Sequence, residues 1–578
     1  MIVLHIKFDG FIEAMTNKEI IKIFKQIVAL MELHEENPHK VSAYQSALFK
    51  MERLDAQMKD LKDEEWERIG LSKGMQEKIR LLLDKGVLPD LEELEAKTPK
   101  GVREMLQIKG LGGKKIGVIW RELSIDNLFA LQEACLKGKI ADLKGFGEKT
   151  QENILEQIAF IRASQSKMRF AEAEKYAFMI ENYLKTHLPD NQIFVCGELR
   201  RHMEVVSCID LIVGTDNPVM VFALLDELTD IQHHVEKSGV FTWRGIIKEN
   251  SFPVQITTTS HQDFAFQLFV RSASAKHLDK FVEGKKIYHW AKEKVYHSES
   301  EIYENMGLDY IEPEMREGDW EIDLAKNKKL PILVKMADLK GVLHNHSTYS
   351  DGRHSLEEMA VHCKELGYEY LGITDHSQTA FYANGLNVES IKKQHAEIES
   401  LNQKLAPFKI FKGIESDILA DGSLDYPEEI LASFDFIVAS IHFGLKMSQE
   451  KATERLIKAI SNPYTTILGH PTGRLLLKRE GYPIDHKAVI DACAQHRVAI
   501  EINGNPYRLD LDWRWVRYAL EKGVMISLNP DAHEKDAYDD MRYALLVGRK
   551  AGLTKEMTLN HKNCDEINAY FKKKRGSF

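Results

Sequence analysis

Nine imidazole and carboxylate side chains in the C-terminal part of the sequence have the types and spacing of a metal-ion cluster: His344, His346, Asp351, His376, Glu415, His442, His470, Asp531 and His533. They follow short apolar runs of strand character, GVLHNH, YLGITDH, FKIFKGIES, FDFIVASIH, TTILGHP and VMISLNPDAH. In an extended chain residues i and i+2 face the same way, so His344 and His346 can share one ion. Neutral imidazole and carboxylate oxygen suit zinc, manganese or iron, and one carboxylate can bridge two ions. Ions held in this way lower the pKa of water and offset charge that builds on a phosphate in its transition state. Any single histidine here reads equally well as a core residue, as do His354, His362, His395 and His486 in polar helical or loop stretches. Nine donors at successive strand ends are poorly explained that way.

A seventh run, VAIEINGN, completes the series beyond Asp338, and helical segments separate the strands. Strands alternating with helices predict a parallel (β/α) barrel, whose chemistry lies at the C-terminal ends of the strands. Upstream, IFVCGEL, CIDLIVGT, VMVFALL and VQITTTS alternate with helical segments and predict an α/β region from about residue 190. Residues 16–160 read as almost entirely helical, starting at Met15-Thr16-Asn17, with Ile20, Ile21, Phe24, Ile27, Val28 and Met31 on one helix face. The polar segment 311–331 reads as a linker or strap.

The chain has 578 residues, 44% apolar and 29% charged, which describes a globular protein of several domains, since single cores seldom exceed about 250–300 residues. Its cysteines (Cys135, Cys196, Cys208, Cys363, Cys493 and Cys564) contain no C-x-x-C pair. This argues against a zinc ribbon or disulfide framework and fits a reducing, cytoplasmic setting. No apolar run approaches the roughly 18 residues needed to span a bilayer, so no membrane is expected. MIVLHIKFDGF lacks the features of a signal peptide, and the first fourteen residues read as an extension. The net charge of −10 argues against a basic face along the whole chain, so any contact with DNA must be local.

Two segments could make such a contact. QIKGLGGKKIGVIW (107–120) and DLKGFGEKTQENI (142–154) each place a G-h-G hairpin before a lysine-bearing helix. Gly110, Gly112 and Lys114 in the first, and Gly145, Gly147 and Lys149 in the second, would offer backbone N–H groups and charge to a DNA phosphate. Two tandem helix–hairpin–helix units predict sequence-independent DNA binding. Two helix-to-helix turns without a ligand are the bland alternative.

HNHSTYSDG, GITDHS, GIESDI, ASIHF, GHPTGR, EINGNP and NPDAHE resemble, in order, the motif series of the polymerase-and-histidinol-phosphatase (PHP) family, above all the version fused to bacterial family X DNA polymerases. The resemblance implies a distorted (β/α)7 barrel binding three divalent ions, Mn2+, Zn2+ or Fe2+. It places His344, His346, Glu415 and Asp531 on one ion, Asp351, His376 and His470 on a second, and Glu415, His442 and His533 on a third. Arg474, directly after a ligand, is a candidate phosphate clamp or else a surface ion pair. Asp375 beside His376 is expected to orient ligands rather than to bind an ion.

Residues 164–325 resemble the palm and thumb of family X (polymerase-beta-like) enzymes, through FVCGELRRHMEVVSCIDLIV and IYENMGLDYIEPEMRE. NPHKVSAYQSA (37–47) and the hairpins resemble that family's lyase and fingers regions. Lys78 falls where the family's Schiff-base lysine stands, although an ordinary helix lysine explains it better. The palm pattern retains Arg201 and Asp210 but carries Glu198 for the serine that meets a triphosphate, Cys208 for the first metal aspartate and Gln255 for the third carboxylate. Mg2+ prefers oxygen, and Glu198 would repel a triphosphate.

The expected organisation is therefore multidomain. A helical lyase-like region (1–90) and a fingers-like helix–hairpin–helix region (91–163) precede a palm and thumb without nucleotidyl transfer (164–325), a linker (326–337) and a PHP barrel (338–578). The expected function is DNA-directed phosphoester hydrolysis by a monomer acting on gaps or 3′ ends, as a 3′–5′ exonuclease, 3′-phosphatase or abasic-site enzyme in DNA repair. The alternatives are a small-molecule phosphatase of the histidinol-phosphatase type, a still-active polymerase and a non-catalytic DNA scaffold.

Overall fold

The computed structural model describes residues 15–54, 57–164 and 166–575, so the extension read over the first fourteen residues lies outside the described residues. The chain forms two compact units, Met1–Gln165 and Ser166–Phe578.

The first unit is helical. Its first helix, Asn17–Leu33, starts where expected because Thr16 and Glu19 form a reciprocal capping box. Ile20, Phe24, Ile27 and Met31 of that helix pack with Tyr44, Ile79 and Leu82 in one apolar core. A second core gathers Val102, Met105, Ile116, Leu131, Ile154 and Ile158 around the hairpins. Gly110 (φ 89°) and Gly145 (φ 86°) take the left-handed backbone that each hairpin needs. Their helices follow as Gly113–Leu123 and Glu148–Ser164, and Asn153 of the second donates to the Lys109 carbonyl at 2.9 Å.

The second unit holds two larger sheets and two short two-stranded ones. The first has strands β1 (Gln192–Val195), β2 (Ile209–Gly214), β3 (Ile231–His233), β4 (Thr242–Ile247) and β5 (Pro253–Thr259), in the order β1-β2-β5-β4-β3. Residues 311–325 beyond it are packed rather than linker-like. Ile311 and Arg316 are fully buried there, and Arg316 donates to Glu299 at 2.5 Å.

The remaining strands are β6 (Gly341–Val342), β7 (Tyr370–Ile373), β8 (Lys409–Asp417), β9 (Phe436–Ser440), β10 (Ile467–Leu468), β11 (Ala499–Asn503) and β12 (Ile526–Asn529). They form a seven-stranded sheet in sequence order with every neighbouring pair parallel. Two devices close it into a distorted (β/α)7 barrel. At the C-terminal end Asn345 bridges to Ala532, with His346 N–H donating to the Ala532 carbonyl at 2.8 Å. Nearer the other end, the Asn560 side chain donates to the carbonyls of Gly341 (3.0 Å) and Leu528 (2.9 Å) and accepts from Leu528 N–H (2.7 Å). The helix Cys564–Arg575 plugs that end, stacking Phe571 on Phe436 with centroids 4.9 Å apart.

Buried polar contacts join the barrel to the first sheet and its neighbours. Lys550, 1% exposed, donates to the Arg201 carbonyl (2.9 Å), the Glu314 carbonyl (3.1 Å) and the Glu317 carboxylate (2.5 Å). Trp513 and Arg514 donate to the two oxygens of Glu204 at 3.2 and 2.8 Å. Among the described residues no helix is long and apolar enough to cross a membrane.

Candidate metal centre

Each of the nine candidate ligands stands at or just beyond the C-terminal end of a barrel strand, and Glu415, on β8, lies at the middle of the group. Its Oε1 is 3.0 Å from His470 Nε2, 3.2 Å from His442 Nε2 and 3.4 Å from His344 Nε2. Its Oε2 is 3.0 Å from His376 Nδ1 and 3.6 Å from His346 Nε2. Asp531 Oδ1 lies 3.2 Å from His346 Nε2 and 3.5 Å from His344 Nε2. Asp351 meets His376 at 3.6 Å and His533 at 3.4 Å.

Two ligands therefore sit elsewhere than the implied sets would put them. His533 stands with Asp351 and His376, its ring stacked 4.1 Å from that of His346, whereas His470 stands with Glu415 and His442. The motif order along the chain does not reveal this, because neighbours across a closed barrel are remote in sequence.

The chemistry of the donor set fits divalent cations. His344 Nε2 and His346 Nε2 are fully buried without a hydrogen-bond partner, an arrangement that is costly unless something else binds there. Burial opposes charge on Glu415, yet His442, His344 and His376 hold its carboxyl well below the usual range. Asp531 is likewise held low against burial by His344 and His346. Burial first, then His533 and His376, push His346 down to about 3. His442 is raised to about 10 against burial by Glu415 and Asp417.

Carboxylates unnoticed in the sequence orient two of the rings. Glu501 on β11 pairs with His344 Nδ1 at 2.8 Å, and Asp417 pairs with His442 Nδ1 at 2.6 Å, leaving the opposite Nε2 atoms aimed inward. Nothing in the sequence separates these two acids from other strand residues. The backbone at Asp531 is left-handed (φ 56°), and Asn503 donates to its Oδ2 at 3.0 Å.

Neither residue offered beside the ligands as a catalytic candidate faces the cluster. Asp375 accepts from Ser347 N–H (2.8 Å) and Oγ (2.7 Å), Ser350 Oγ (2.5 Å) and Gln394 (2.6 Å), so it is a positioning residue that holds the loop carrying Asp351. Arg474 donates to the Arg508 carbonyl (2.9 Å), the Leu509 carbonyl and Asp512 (2.5 Å), which leaves its fork for structure rather than for phosphate. Arg508 is the arginine beside the ligands, its Nε 3.6 Å from Asp531 Oδ2.

In the first sheet, Asp210 on β2 and Gln255 on β5 are register partners, and the Gln255 amide donates to Asp210 Oδ1 at 3.2 Å. Arg244 donates to Gln255 at 2.9 Å. Glu198 accepts from both the N–H and the Oγ of Ser207 at 2.6 Å, and Arg201 is paired with Glu317 at 3.1 Å. Burial pushes the Cys208 thiol and the Asp210 carboxyl up, away from their ionised forms. In the helical unit, Lys78 is paired with Asp90, which also faces Lys40 at 3.4 Å. Lys114 and Lys149 are exposed, and a Cβ at Gly112 or Gly147 would meet no atom, so these hairpin backbones are open.

Comparison with known proteins agrees with this architecture. The chain is 34% identical over 571 residues to the DNA polymerase/3′-5′ exonuclease PolX of Bacillus subtilis (strain 168), an alignment that covers 97% of this chain and all of that one. The chain belongs to the bacterial PolX family. The PHP domain model matches residues 343–505, and a helix-hairpin-helix domain model matches 15–88, ahead of the two glycine hairpins. Part of the chain also resembles proteins described as probable phosphatases. A probable phosphatase of Thermoanaerobacter sp. (strain X514) is 29% identical over 250 residues, 41% of this chain and 97% of that one. Another from Caldanaerobacter subterraneus subsp. tengcongensis is 28% identical over 258 residues.

Proposed function

We propose that the protein is a DNA-directed, metal-dependent phosphoesterase whose only working active site is the PHP barrel. The observation that carries this reading is the contrast between nine convergent metal donors at the barrel mouth and a palm left with one of its three expected metal carboxylates. Asp210 there is met by the amide of Gln255, and Cys208 replaces the expected neighbouring acid. Two-metal nucleotidyl transfer needs several carboxylates, which this pocket lacks.

Read from the distances, the donors form three sets: His344, His346, Glu415 and Asp531; Glu415, His442 and His470; and Asp351, His376 and His533. Manganese or zinc, with iron as a third option, suits these donors, and such ions supply an ionised water and charge neutralisation at phosphate. The chain's own residues do the rest. Glu501 and Asp417 fix the tautomers of His344 and His442, and Asp375 holds the Asp351 loop. Arg508 is the side chain that we assign to a non-bridging phosphate oxygen. The open hairpins at Gly110–Gly112 and Gly145–Gly147, with Lys114 and Lys149, are the assigned grip on the DNA backbone.

The expected reactions are 3′–5′ exonuclease, 3′-phosphatase or abasic-site cleavage in DNA repair, in the cytoplasm. The test is Mn2+-dependent degradation of a 3′-labelled oligonucleotide by wild type, His344→Ala and Asp210→Ala, alongside primer extension. Loss with His344→Ala alone, and no dNTP incorporation, is the expected result. Metal-dependent incorporation by the wild type would overturn the loss of polymerase activity. The match of 41% of the chain to a probable phosphatase favours a second reading, hydrolysis of a small phosphomonoester. A sugar phosphate hydrolysed faster than any oligonucleotide would establish it.

A further inference from the structure

Three arginines stand on the loops that follow strands β10 and β11, and they differ in what their forks meet. Arg474 spends its donors on the carbonyls of Arg508 and Leu509 and on Asp512. Arg508 has one carboxylate beside it, the ligand Asp531, with Nε 3.6 Å from Oδ2. Arg479 is half-buried and donates from Nε (3.1 Å) and Nη2 (2.6 Å) to the Gly473 carbonyl. Among the described residues no carboxylate pairs with Arg479.

The two loops are tied into one corner. Arg474 pins the backbone that carries Arg508, and Leu476 N–H donates to the Tyr507 carbonyl at 2.6 Å. Thr472 donates from N–H and Oγ1 to Asp510 Oδ2, both at 2.9 Å. Leu475 and Arg479 close their loop on each other through N–H to carbonyl bonds of 2.8 and 2.7 Å. Burial first, then the charge of Arg508, hold Arg479 below the ordinary arginine range, so the two guanidinium groups feel each other. The charge of Arg508 also reaches the ligand His470, which places the pair beside the cluster. Arg169 Cζ and Lys478 Nζ lie 4.0 and 4.3 Å from the centre of the Tyr507 ring. With Arg479 and Arg508 they put four cations at one corner of the barrel, in a chain whose net charge is −10. Like charges held together by a fixed backbone repel, and an anion between them removes that cost.

We propose that Arg479 holds the phosphodiester next to the scissile one, while Arg508 serves the scissile phosphate, so that the barrel recognises a chain carrying two consecutive phosphates. The inference rests on the phosphoesterase reading above and names the substrate feature that separates a nucleic acid from a single phosphomonoester. With Nε and one N–H of Nη2 turned to Gly473, Nη1 and the other N–H of Nη2 remain for two phosphate oxygens. Asp531 does not compete for Arg508 once that carboxylate shares a cation, so both guanidinium groups can turn to substrate. Phosphates are alike at every nucleotide, so the contact fixes register along the strand without reading its sequence.

The test removes the charge from the substrate as well as from the protein. Release of the 3′-terminal nucleotide is measured in Mn2+ with the full-length chain and three 5′-labelled oligonucleotides. One is all phosphate, one carries a neutral methylphosphonate at the linkage next to the scissile one, and one carries it well inside the strand. For the wild type the adjacent substitution should lower kcat/KM by roughly ten- to hundred-fold, the range of a charged hydrogen-bonded contact, and the inner one should change nothing. Arg479→Ala should lose a similar factor on the all-phosphate strand, chiefly through KM, and lose no more with the adjacent methylphosphonate. The wild-type comparison involves no mutation, so it decides the matter even where Arg479→Ala disturbs the loop. Equal wild-type rates on the all-phosphate and adjacent-substituted strands overturn the assignment. So does an equal loss from the inner substitution, or a variant that keeps the full sensitivity. Each of these leaves the phosphoesterase reading standing, whereas a wild type that hydrolyses sugar phosphates but no oligonucleotide overturns both.

Discussion

The second unit contains two clusters of acidic and polar side chains built on parallel strand pairs, and they differ in what faces each carboxylate. In the barrel, Glu415 is ringed by imidazole nitrogens of His344, His376, His442 and His470 at 3.0–3.4 Å. In the palm, Asp210 meets the Gln255 amide, and the nearby Glu198 is occupied by Ser207. A carboxylate ringed by imidazole nitrogens can share a cation with them; one that accepts from an amide has part of its lone-pair capacity taken up. The two clusters in one compact unit therefore offer a cation very different donor sets.

The largest effect should come from breaking the barrel side. His344→Ala is expected to lower oligonucleotide hydrolysis by about 100- to 1,000-fold, a loss comparable to removing one transition-state-stabilising donor. Asp210→Ala should leave it unchanged, and equal losses in the two variants would erase the contrast. Next comes the joint between the regions. Lys550→Ala removes a buried ammonium from Glu317 and from two carbonyls, and should destabilise the second unit by about 3 kcal/mol. Chemical denaturation followed by tryptophan fluorescence would register this.

The orienting acids should matter less than the ligands themselves. Glu501→Gln or Asp417→Asn is expected to weaken metal binding by roughly 10- to 100-fold, measured by competition with a chelating dye. The smallest effect tests the palm side through pH. Burial first, with help from Lys550 and Arg549, pushes His202 down to about 4, so the folded protein binds fewer protons there than the unfolded chain. The stability this contributes is present above the unfolded value near 6.5 and is lost as pH falls towards 4. At pH 5.5 the loss should be about 1 kcal/mol. His202→Asn, which tolerates the left-handed backbone at that position (φ 52°), should flatten the dependence of Tm on pH over that interval.

The nine candidate donors could be picked out as a group because each stands where an apolar strand run gives way to polar residues, and a barrel brings all such ends to one face. Which ligand neighbours which was not legible. His470 and His533 exchange places relative to the motif order because the barrel closes through Asn345 and Ala532, far apart in sequence. Arg474 and Arg508 look alike as strand-end arginines, and only the carbonyls of Arg508 and Leu509 show that the first is consumed by structure. Asp375, expected to orient ligands rather than to bind an ion, faces Ser347 and Ser350. The polar stretch 311–331 reads as a linker or strap because buried ion pairs such as Arg316–Glu299 leave no apolar pattern.

The Asn560 side chain ties the first barrel strand to the last, and this sets an order on the protein's birth. Until residue 560 has left the ribosome, the ring lacks the clip that joins its first and last strands at the end remote from the nine donors. The helical unit and its hairpins emerge far earlier. A nascent chain can thus complete its hairpins before the barrel that gathers the nine donors is tied shut.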